Sequence, residues 1–455
     1  MPLFPFSRIA PAASRKGNNV SRFAMLCVPA QGRLFPMLAL GQALIQRGHQ
    51  LTFLGRDRME SAVQAAGIDF INLDAAKSSR PHLSRYQSSA LRRFLPSRLP
   101  RLGSSPYADA TGLRALAISI ESYRRWAAFD LGRAPGLLEE IQPDALIASE
   151  SSLAARTLAE EQGLPFVTVS TGLPRHETNT LPPEFTSWPH RDALWARKRN
   201  QAIDGFRRLL DLPTLDLLNQ ARASLSLPPH QHLSQTRSPL ATLSQLPPGF
   251  DFPAPPGDSP IHYVGPLVGP GSRESVAFPW EKLNGDPILY ASAGTLSSGR
   301  EFFQAIAQAC EGMSVQLILS RGGGRFPAAE SVSHQNTLIV DYAPQLEVLE
   351  RASITITHGS ANTMVESLLH GVPLVAIPLV FDQPGTAARL ARTGAGISMS
   401  LKKAGTPRLR SAIQTILEKP EHKKAAEELQ KACLNAGGVV QAADIIERTT
   451  LGRQS

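Results

Sequence analysis

The residues best suited to chemistry lie between positions 341 and 383, where polar side chains follow a buried strand. The apolar run SITIT, residues 353–357, predicts a strand that delivers His358 to its carboxyl end. Gly359 and Ser360 then form a tight turn, and a helix is predicted to follow directly. Because the first N–H groups of a helix have no partner within it, this helix start is predicted to bind an anion such as phosphate.

Three more polar residues belong to the start of that helix: Asn362, Thr363 and Glu366. Spacings of three and four residues place them on one helix face. A carboxylate there can accept two ribose hydroxyls, as the acidic residue of dinucleotide sites does. The same residues would also suit a helix start in which Asn362 and Thr363 satisfy backbone donors and Glu366 favours the helix dipole.

The pattern continues on both sides of the helix start, which favours a ligand site over a simple cap. Tyr342 supplies a flat face on which a base can stack, and Gln345 supplies an amide. Asp382 and Gln383 form a polar pair at the end of a later strand.

The elements that must position these residues fall into two blocks, each with buried strands, tight turns and amphipathic helices. The first block begins at FAMLCV, residues 23–28, and the second at ILYASAG, residues 288–294. Their strands are apolar without alternation, which predicts parallel sheets covered on both faces. We therefore predict an α/β protein with two Rossmann-like, doubly wound domains that face a cleft.

Prolines and glycines crowd the residues from 228 to 270, where neither a helix nor a central strand is expected. The resulting predictions are a disordered tail (1–20), an N-terminal domain that binds the acceptor (21–250), a linker (251–270) and a C-terminal domain that binds the nucleotide (271–455). The last helix is expected to pack back on the N-terminal domain.

Composition excludes some classes of protein. The longest nearly apolar stretch, residues 372–381, is too short for a membrane-spanning helix, which needs about 20 residues. The three cysteines are isolated and lack metal-ligand spacing, which indicates buried side chains in a reduced, cytoplasmic compartment. The chain has 47 Lys and Arg against 38 Asp and Glu, and its formal net charge of +9 suits an anionic partner.

Residues 341–383 resemble the nucleotide-sugar signature of the UDP-glycosyltransferases, glycosyltransferase family 1, which have the GT-B fold. Residues 27–55 are similar to the family's opening strand–loop–helix–strand, and residues 163–189 look similar to bacterial zeaxanthin glucosyltransferase-like members. The positions that match at family spacing are Pro344, Gln345, His358, Gly359, Asn362, Glu366, Gly371–Pro373, Pro378, Asp382 and Gln383.

The resemblance implies a role for each matching residue. Tyr342 would stack on uracil with Gln345 nearby, and Glu366 would bind the ribose. Asp382 and Gln383 would bind the sugar hydroxyls, and Gln383 is associated with glucose donors. The diphosphate would be held by His358, Asn362, Thr363 and Thr295, while Ser360, where the family usually has glycine, would add a phosphate donor or crowd the turn.

The implied reaction transfers a hexose from a UDP-sugar to an acceptor hydroxyl. A helix N-terminus and an imidazole can stabilise the leaving diphosphate, and the chain contains no Asp-x-Asp motif, so no metal cofactor is expected. Direct attack by the hydroxyl would invert the anomeric centre and needs a general base.

The family's catalytic base is a histidine after the first strand, and Arg33 stands at that position here. Arginine stays protonated and cannot accept the proton. Glu150 or His176 would serve instead, each at the end of a predicted strand. Alternatively, the acceptor needs little help from a base, because it is already acidic or because Arg33 grips an anionic acceptor, or the protein binds a UDP-sugar without transferring it.

Residues 80–101 hold six arginines and no acidic residue. They suit either a solvated loop or a peripheral contact with an anionic membrane that delivers a lipid-soluble acceptor. No nucleic-acid recognition motif is present.

Taken together, these features predict transfer to an apolar acceptor such as a carotenoid or another lipid. A glycolipid-forming transferase and a catalytically silent UDP-sugar binder are the alternatives.

Overall fold

In a computed structural model of the chain, two domains each contain a parallel sheet, as predicted. The structure describes residues 20–80, 112–176, 178, 180–254, 260–269, 273, 276–294, 300–322, 336–400 and 405–452. The predicted tail, except for its last residue, and residues 81–101 of the arginine-rich segment lie outside these ranges.

The described strands of the N-terminal sheet run in the order β3-β2-β1-β4-β5-β6-β7. Along β1, Phe23 and Met25 enter one apolar cluster, whereas Ala24 and Leu26 enter another. Both faces of the sheet are therefore covered, which explains why its strands lack polar alternation. The strands are β1 (Arg22–Leu26), β2 (Gln50–Gly55), β3 (Asp69–Asn72), β4 (Ala145–Ser149), β5 (Phe166–Ser170), β6 (Thr242–Ser244) and β7 (Ile261–Tyr263).

The described strands of the C-terminal sheet run in the order β10-β9-β8-β11-β12-β13. They are β8 (Ile288–Ser292), β9 (Gln316–Ser320), β10 (Thr337–Val340), β11 (Ala352–Thr357), β12 (Leu374–Ala376) and β13 (Gly396–Ser398). The strand order reverses between β8 and β11, as it does between β1 and β4 in the first sheet. Ligands bind beyond the carboxyl ends of strands at such reversals, so the topology marks one crevice in each domain.

The helices connect these strands across both sheet faces. None of the described helices is long and apolar enough to cross a membrane. The N-terminal helices are α1 (Gln31–Gln46), α2 (Glu60–Ala65), α3 (Gly112–Ile141), α4 (Ala155–Glu161) and α5 (Leu194–Ser224). The C-terminal helices are α6 (Arg300–Cys310), α7 (Gln345–Leu349), α8 (Ala361–Leu369), α9 (Gln383–Thr393), α10 (Thr406–Glu418), α11 (Pro420–Asn435) and α12 (Gly438–Leu451).

The segment interpreted as a linker, 251–270, is not wholly a linker, because it supplies β7 to the N-terminal sheet. An edge strand pairs on one side only and therefore tolerates neighbouring prolines. The last helix, α12, packs on the N-terminal domain: Arg47 pairs with Asp444 at 2.7 Å and with Glu447 at 3.0 Å. The chain thus crosses between the domains twice.

Arg80 is the one residue of the arginine-rich segment within the described ranges. It pairs with Glu161, and its Nη1 donates to the Leu131 carbonyl at 3.0 Å. Its charge is therefore engaged inside the domain. The three cysteines are buried and unpaired, as expected, and burial raises the pKa of each thiol to about 12.

Candidate active site

The predicted anion site lies at the start of α8, where β11 ends. Gly359 turns the chain with φ of +92°, and a Cβ at this position would lie 3.1 Å from the Gln383 Cβ. Ser360 is the N-cap residue, but its side chain does not cap the helix. The first N–H groups of α8 therefore have no side-chain acceptor at the cap and suit an anion.

His358 is buried beside this helix start, with 4% of its surface exposed. Its Nδ1 lies 3.3 Å from the Ser292 carbonyl oxygen, because Ser292 and Thr357 are paired at the ends of β8 and β11. Burial lowers the pKa of His358 to about 4, against the opposing effects of the Ser292 carbonyl and Asp382. The imidazole is therefore neutral near pH 7.

Glu366 lies on α8 with 3% of its surface exposed and is held on both oxygens. Gln345 donates from Nε2 to Glu366 Oε2 at 2.5 Å, and the Tyr290 hydroxyl donates to Gln345 Oε1 at 2.9 Å. Arg273 forms an ion pair with Glu366 Oε1. The structure thus brings the predicted ribose carboxylate and Gln345 together and adds Arg273, which lies 93 residues away in sequence.

Tyr342 and Thr295 complete the predicted nucleotide residues. Tyr342 precedes α7 and is 45% exposed, so part of its ring is open to a stacking base. Thr295 lies outside the described residues.

Asn362 contacts the other domain, which the sequence analysis did not predict. Its Nδ2 donates to the Gly32 carbonyl at 2.5 Å, and its Oδ1 accepts from Gln245 Nε2 at 2.5 Å. In this structure the amide therefore joins the two domains. Thr363, its neighbour, is buried with 6% exposure.

Asp382 and Gln383 lie at the start of α9, next to the interdomain cleft. Asp382 Oδ2 accepts from the Leu173 N–H at 3.2 Å. Gln383 Oε1 accepts from the N–H groups of Leu379 and Val380 at 2.9 and 2.8 Å. The Gln383 carbonyl thus shapes the preceding loop, and its amide nitrogen is the group left for a ligand.

A cavity of about 370 Å³ lies between the domains and includes Asp382 in its wall. Arg33 and Glu150, which follow β1 and β4, line the same cavity because the strand reversal brings these two loops together. Its volume is within the range of small-molecule sites. Much of the wall is apolar and includes Leu116, Ile120, Leu153, Phe185, Ile203 and Phe206.

Arg33 occupies the position predicted for the base and lies among acidic groups. Burial disfavours its charge, but Tyr123, Asp382 and Glu150 raise its pKa above the ordinary value. Its Nη1 donates to Thr171 Oγ1 at 3.1 Å. The guanidinium therefore stays charged and cannot accept a proton from the acceptor.

Glu150, one of the acidic residues near Arg33, is a general base proposed from the sequence. Its Oε2 accepts from the Ser170 hydroxyl at 2.5 Å, and its Oε1 accepts from the Arg175 N–H at 2.9 Å. Each carboxylate oxygen has further acceptor capacity. Glu150 is thus oriented by two donors while it faces the cavity.

His176, the other proposed base, does not line this cavity. Its Nε2 lies 2.8 Å from Asp251 Oδ2, which also accepts from the Tyr263 hydroxyl at 2.9 Å. Arg389 of the C-terminal domain donates to Asp251 Oδ1 at 2.5 Å. Burial favours protonation of Asp251, but Arg389 and His176 hold its pKa well below the usual range. His176 therefore belongs to a charged cluster at the domain interface, and its catalytic role stays a prediction.

Sequence reasoning missed the residues that reach the site from distant parts of the chain. Arg273, Gln245 and Arg389 each pair with a site or interface residue more than ninety positions away. No local motif surrounds them, so their partners could not be inferred from spacing.

Comparison with known proteins extends these observations. Residues 280–433 match the family model described as "UDP-glucoronosyl and UDP-glucosyl transferase". The chain is 28% identical over 432 residues to a zeaxanthin glucosyltransferase of Pantoea ananas, covering 94% of this chain and 96% of that protein. It is 29% identical over 442 residues to that of Pseudescherichia vulneris, covering 96% and 100%.

Among solved structures, the glycotransferase of kitacinnamycin has a similar fold, with a TM-score of 0.69. The two chains are 20% identical, and the match covers 95% of this chain and 100% of the other. The likeness spans both domains and the cleft between them, and the family match covers most of the nucleotide-site residues described above. The chain therefore contains a domain that matches the UDP-glycosyltransferase family model, and it is a sugar-transferring enzyme with the GT-B fold.

Proposed function

We propose that this enzyme transfers glucose from UDP-glucose to a hydroxyl of an apolar small-molecule acceptor, with inversion at the anomeric carbon and without a metal cofactor. The observation that carries the proposal is the position of Asp382, which starts α9 beside the nucleotide residues and also lines the largely apolar cavity. A sugar bound by Asp382 would have its anomeric carbon near an acceptor in that cavity. Two relatives named as zeaxanthin glucosyltransferases support glucose and an apolar acceptor.

The nucleotide would lie along the C-terminal crevice. Tyr342 would stack on the uracil, Glu366 would accept the ribose hydroxyls, and the start of α8 would bind the diphosphate. Ribose binding at Glu366 would have to displace or share the Arg273 contact.

The reaction then needs one bond to form and one to break. The acceptor oxygen attacks the anomeric carbon as the bond from that carbon to the β-phosphate oxygen breaks, and UDP departs with the electron pair. The acceptor proton passes to Glu150, whose carboxylate faces the cavity and is oriented by Ser170 and the Arg175 backbone. The N-terminus of α8 stabilises the charge that develops on UDP.

A catalytically silent UDP-sugar binder is the second candidate, and Arg33 is the observation that favours it. A cation stands where the family has its base, and both oxygens of the neighbouring Glu150 already accept hydrogen bonds. The two candidates share the donor site and differ only in turnover.

Glu150→Gln separates them. The glutamine can keep both contacts, because its oxygen can accept from the Arg175 N–H and its amide can donate to the Ser170 hydroxyl. With UDP-glucose and an accepted hydroxyl compound, we expect kcat to fall by about 100-fold to 10,000-fold, the usual contribution of a general base, while UDP-glucose affinity is retained. Glu161→Gln, which alters a carboxylate that pairs with Arg80, is the matched control.

The product of the wild-type reaction should be the β-glucoside by NMR, and a chelator should leave the rate unchanged. UDP-glucose binding without glucoside formation from any of a panel of hydroxylated lipids, carotenoids, sterols and phenols would favour the silent binder. Full turnover by Glu150→Gln would exclude Glu150 as the base.

A further inference from the structure

One part of the cavity wall contains buried polar atoms that have no hydrogen-bond partner within the described structure. Thr214, on α5, is 1% exposed, and its Oγ1 is unpartnered. The Nη1 atom of Arg175 is also buried and unpartnered. Both residues line the cavity. We call Arg175 and Thr214, with their neighbour Arg207, the polar wall.

The carboxylates near the polar wall do not satisfy these two atoms. These carboxylates form ion pairs with Arg207 instead. The Arg207 guanidinium lies 3.1 Å from Asp211 Oδ2, 3.5 Å from Asp204 Oδ1 and 3.8 Å from Glu184 Oε1. Arg175 is placed over the Tyr123 ring, with its Cζ 5.9 Å from the ring centroid. Arg175 Nη1 and Thr214 Oγ1 are therefore left without a hydrogen-bond partner among the described residues, as is Arg207 Nε.

Buried donors without partners are costly, and a ligand atom that accepts from them removes that cost. Sites with such donors discriminate strongly against analogues that lack the accepting atom.

The charge of the region selects a neutral oxygen. Three carboxylates surround Arg207, whereas Arg175 and Arg207 supply two positive charges. A carboxylate or phosphate on the acceptor would add an anion to this group and to Glu150 and Asp382, which line the same cavity. A carbonyl, ether or hydroxyl oxygen has no such cost.

We propose that the acceptor carries a second, neutral oxygen apart from the hydroxyl that receives the sugar, and that Arg175 and Thr214 bind this oxygen. This inference rests on the proposed function, because it assigns the substrate class of the same cavity. The cavity volume of about 370 Å³ suits a compact ring system, or one ring at the end of a longer molecule, that carries both oxygens.

Matched probes test the proposal directly. The first pair is 2-naphthol and 6-methoxy-2-naphthol, and the second is androst-5-en-3β-ol and its 17-ketone. Within each pair the reacting hydroxyl is unchanged and the remote oxygen is added. Binding is measured by calorimetry, and turnover with UDP-glucose is measured in parallel by UDP release.

The wild-type protein should bind the oxygen-bearing member of at least one pair about tenfold more tightly, the discrimination expected of one well-made hydrogen bond. Thr214→Val keeps the side-chain shape and removes the hydroxyl, and Arg175→Met removes the guanidinium but keeps the backbone N–H that binds Glu150. Each should reduce the preference to about twofold or less. Ile203→Val, which trims the apolar wall, should retain it.

The proposal would be overturned if the wild-type protein bound both members of each pair with equal affinity. It would also be overturned if the protein bound none of the four compounds. A preference that survives in both Thr214→Val and Arg175→Met when thermal unfolding shows them folded would overturn it as well. Turnover of the probes without any such preference would refute oxygen binding by the polar wall but not the proposed sugar transfer. Preferential binding without turnover would support oxygen binding by the polar wall and refute the proposed sugar transfer.

Discussion

His358 should make UDP-glucose binding depend on pH, because the neutral ring has one N–H donor, and the tautomer that gives it to the Ser292 carbonyl has none left for a phosphate. The Ser292 carbonyl only accepts, so Nδ1 carries the proton in the tautomer that keeps this 3.3 Å contact. The neutral ring then has a lone pair at Nε2. A phosphate oxygen also only accepts, so contact between them requires a proton on Nε2.

The size of the effect follows from the pKa of about 4 that burial gives His358. With that pKa, about one molecule in a thousand carries the imidazolium at pH 7, and charging the ring costs about 4 kcal/mol. The bound diphosphate must supply this free energy by raising the pKa of His358. Affinity for UDP-glucose should therefore rise up to about tenfold for each unit by which pH falls from 8 towards 5, while the unbound ring is still neutral.

UDP-glucose is the suitable ligand because its diphosphate is esterified at both ends and lacks the ionisation near pH 6 of a terminal phosphate. Calorimetry at pH 7 in two buffers with different ionisation enthalpies should show uptake of about one proton per ligand bound. In His358→Gln the uptake should disappear and the affinity should become nearly independent of pH. Flat wild-type affinity between pH 5.5 and 8 without proton uptake would refute the assignment of His358 to the diphosphate.

Two further predictions concern positions outside the reacting groups. In His176→Ala, Asp251 keeps Arg389 and Tyr263 but loses one partner. Urea denaturation should therefore show that the free energy of unfolding falls by about 1–3 kcal/mol, while kcat stays within about twofold of the wild-type value. A large loss of kcat at unchanged stability would instead favour a catalytic role for His176. Gly359→Ala places a side chain at φ of +92° against Gln383. Thermal unfolding should therefore show that the free energy of unfolding falls by about 1–3 kcal/mol, and UDP-glucose should bind more weakly. Gly405→Ala, where no atom lies near the added carbon, is its control, and equal effects of the two changes would contradict the packing argument.

The arrangement of the candidate donor site could be predicted from sequence because its geometry is local. Thr357 to Glu366 run without interruption from a strand through a turn into a helix, so their relative positions follow from strand and helix geometry alone. Gln345 and Glu366, 21 residues apart, were assigned to the same nucleotide and do meet. The doubly wound sheets were predictable for a similar reason, since uninterrupted apolar strands require cover on both faces.

The acceptor half depends on contacts between distant segments. Glu150 and His176 were equivalent candidates in sequence, each following a strand, but only Glu150 lines the cavity, because Asp251 and Arg389 hold His176 at the domain interface. Thr214 gave no signal at all, because a threonine within a helix is unremarkable until its neighbours leave its hydroxyl without a partner.

The sequence by itself thus determined the two-domain α/β class and the local arrangement of the candidate nucleotide site, since neighbours along the chain set both. Only the tertiary structure decided that Asn362 joins the two domains, that Arg273 reaches Glu366 and that Arg33 lies near Asp382 and Glu150. Those pairings depend on how two separately folded sheets dock, and docking is governed by shape and charge across surfaces whose residues are scattered through the chain.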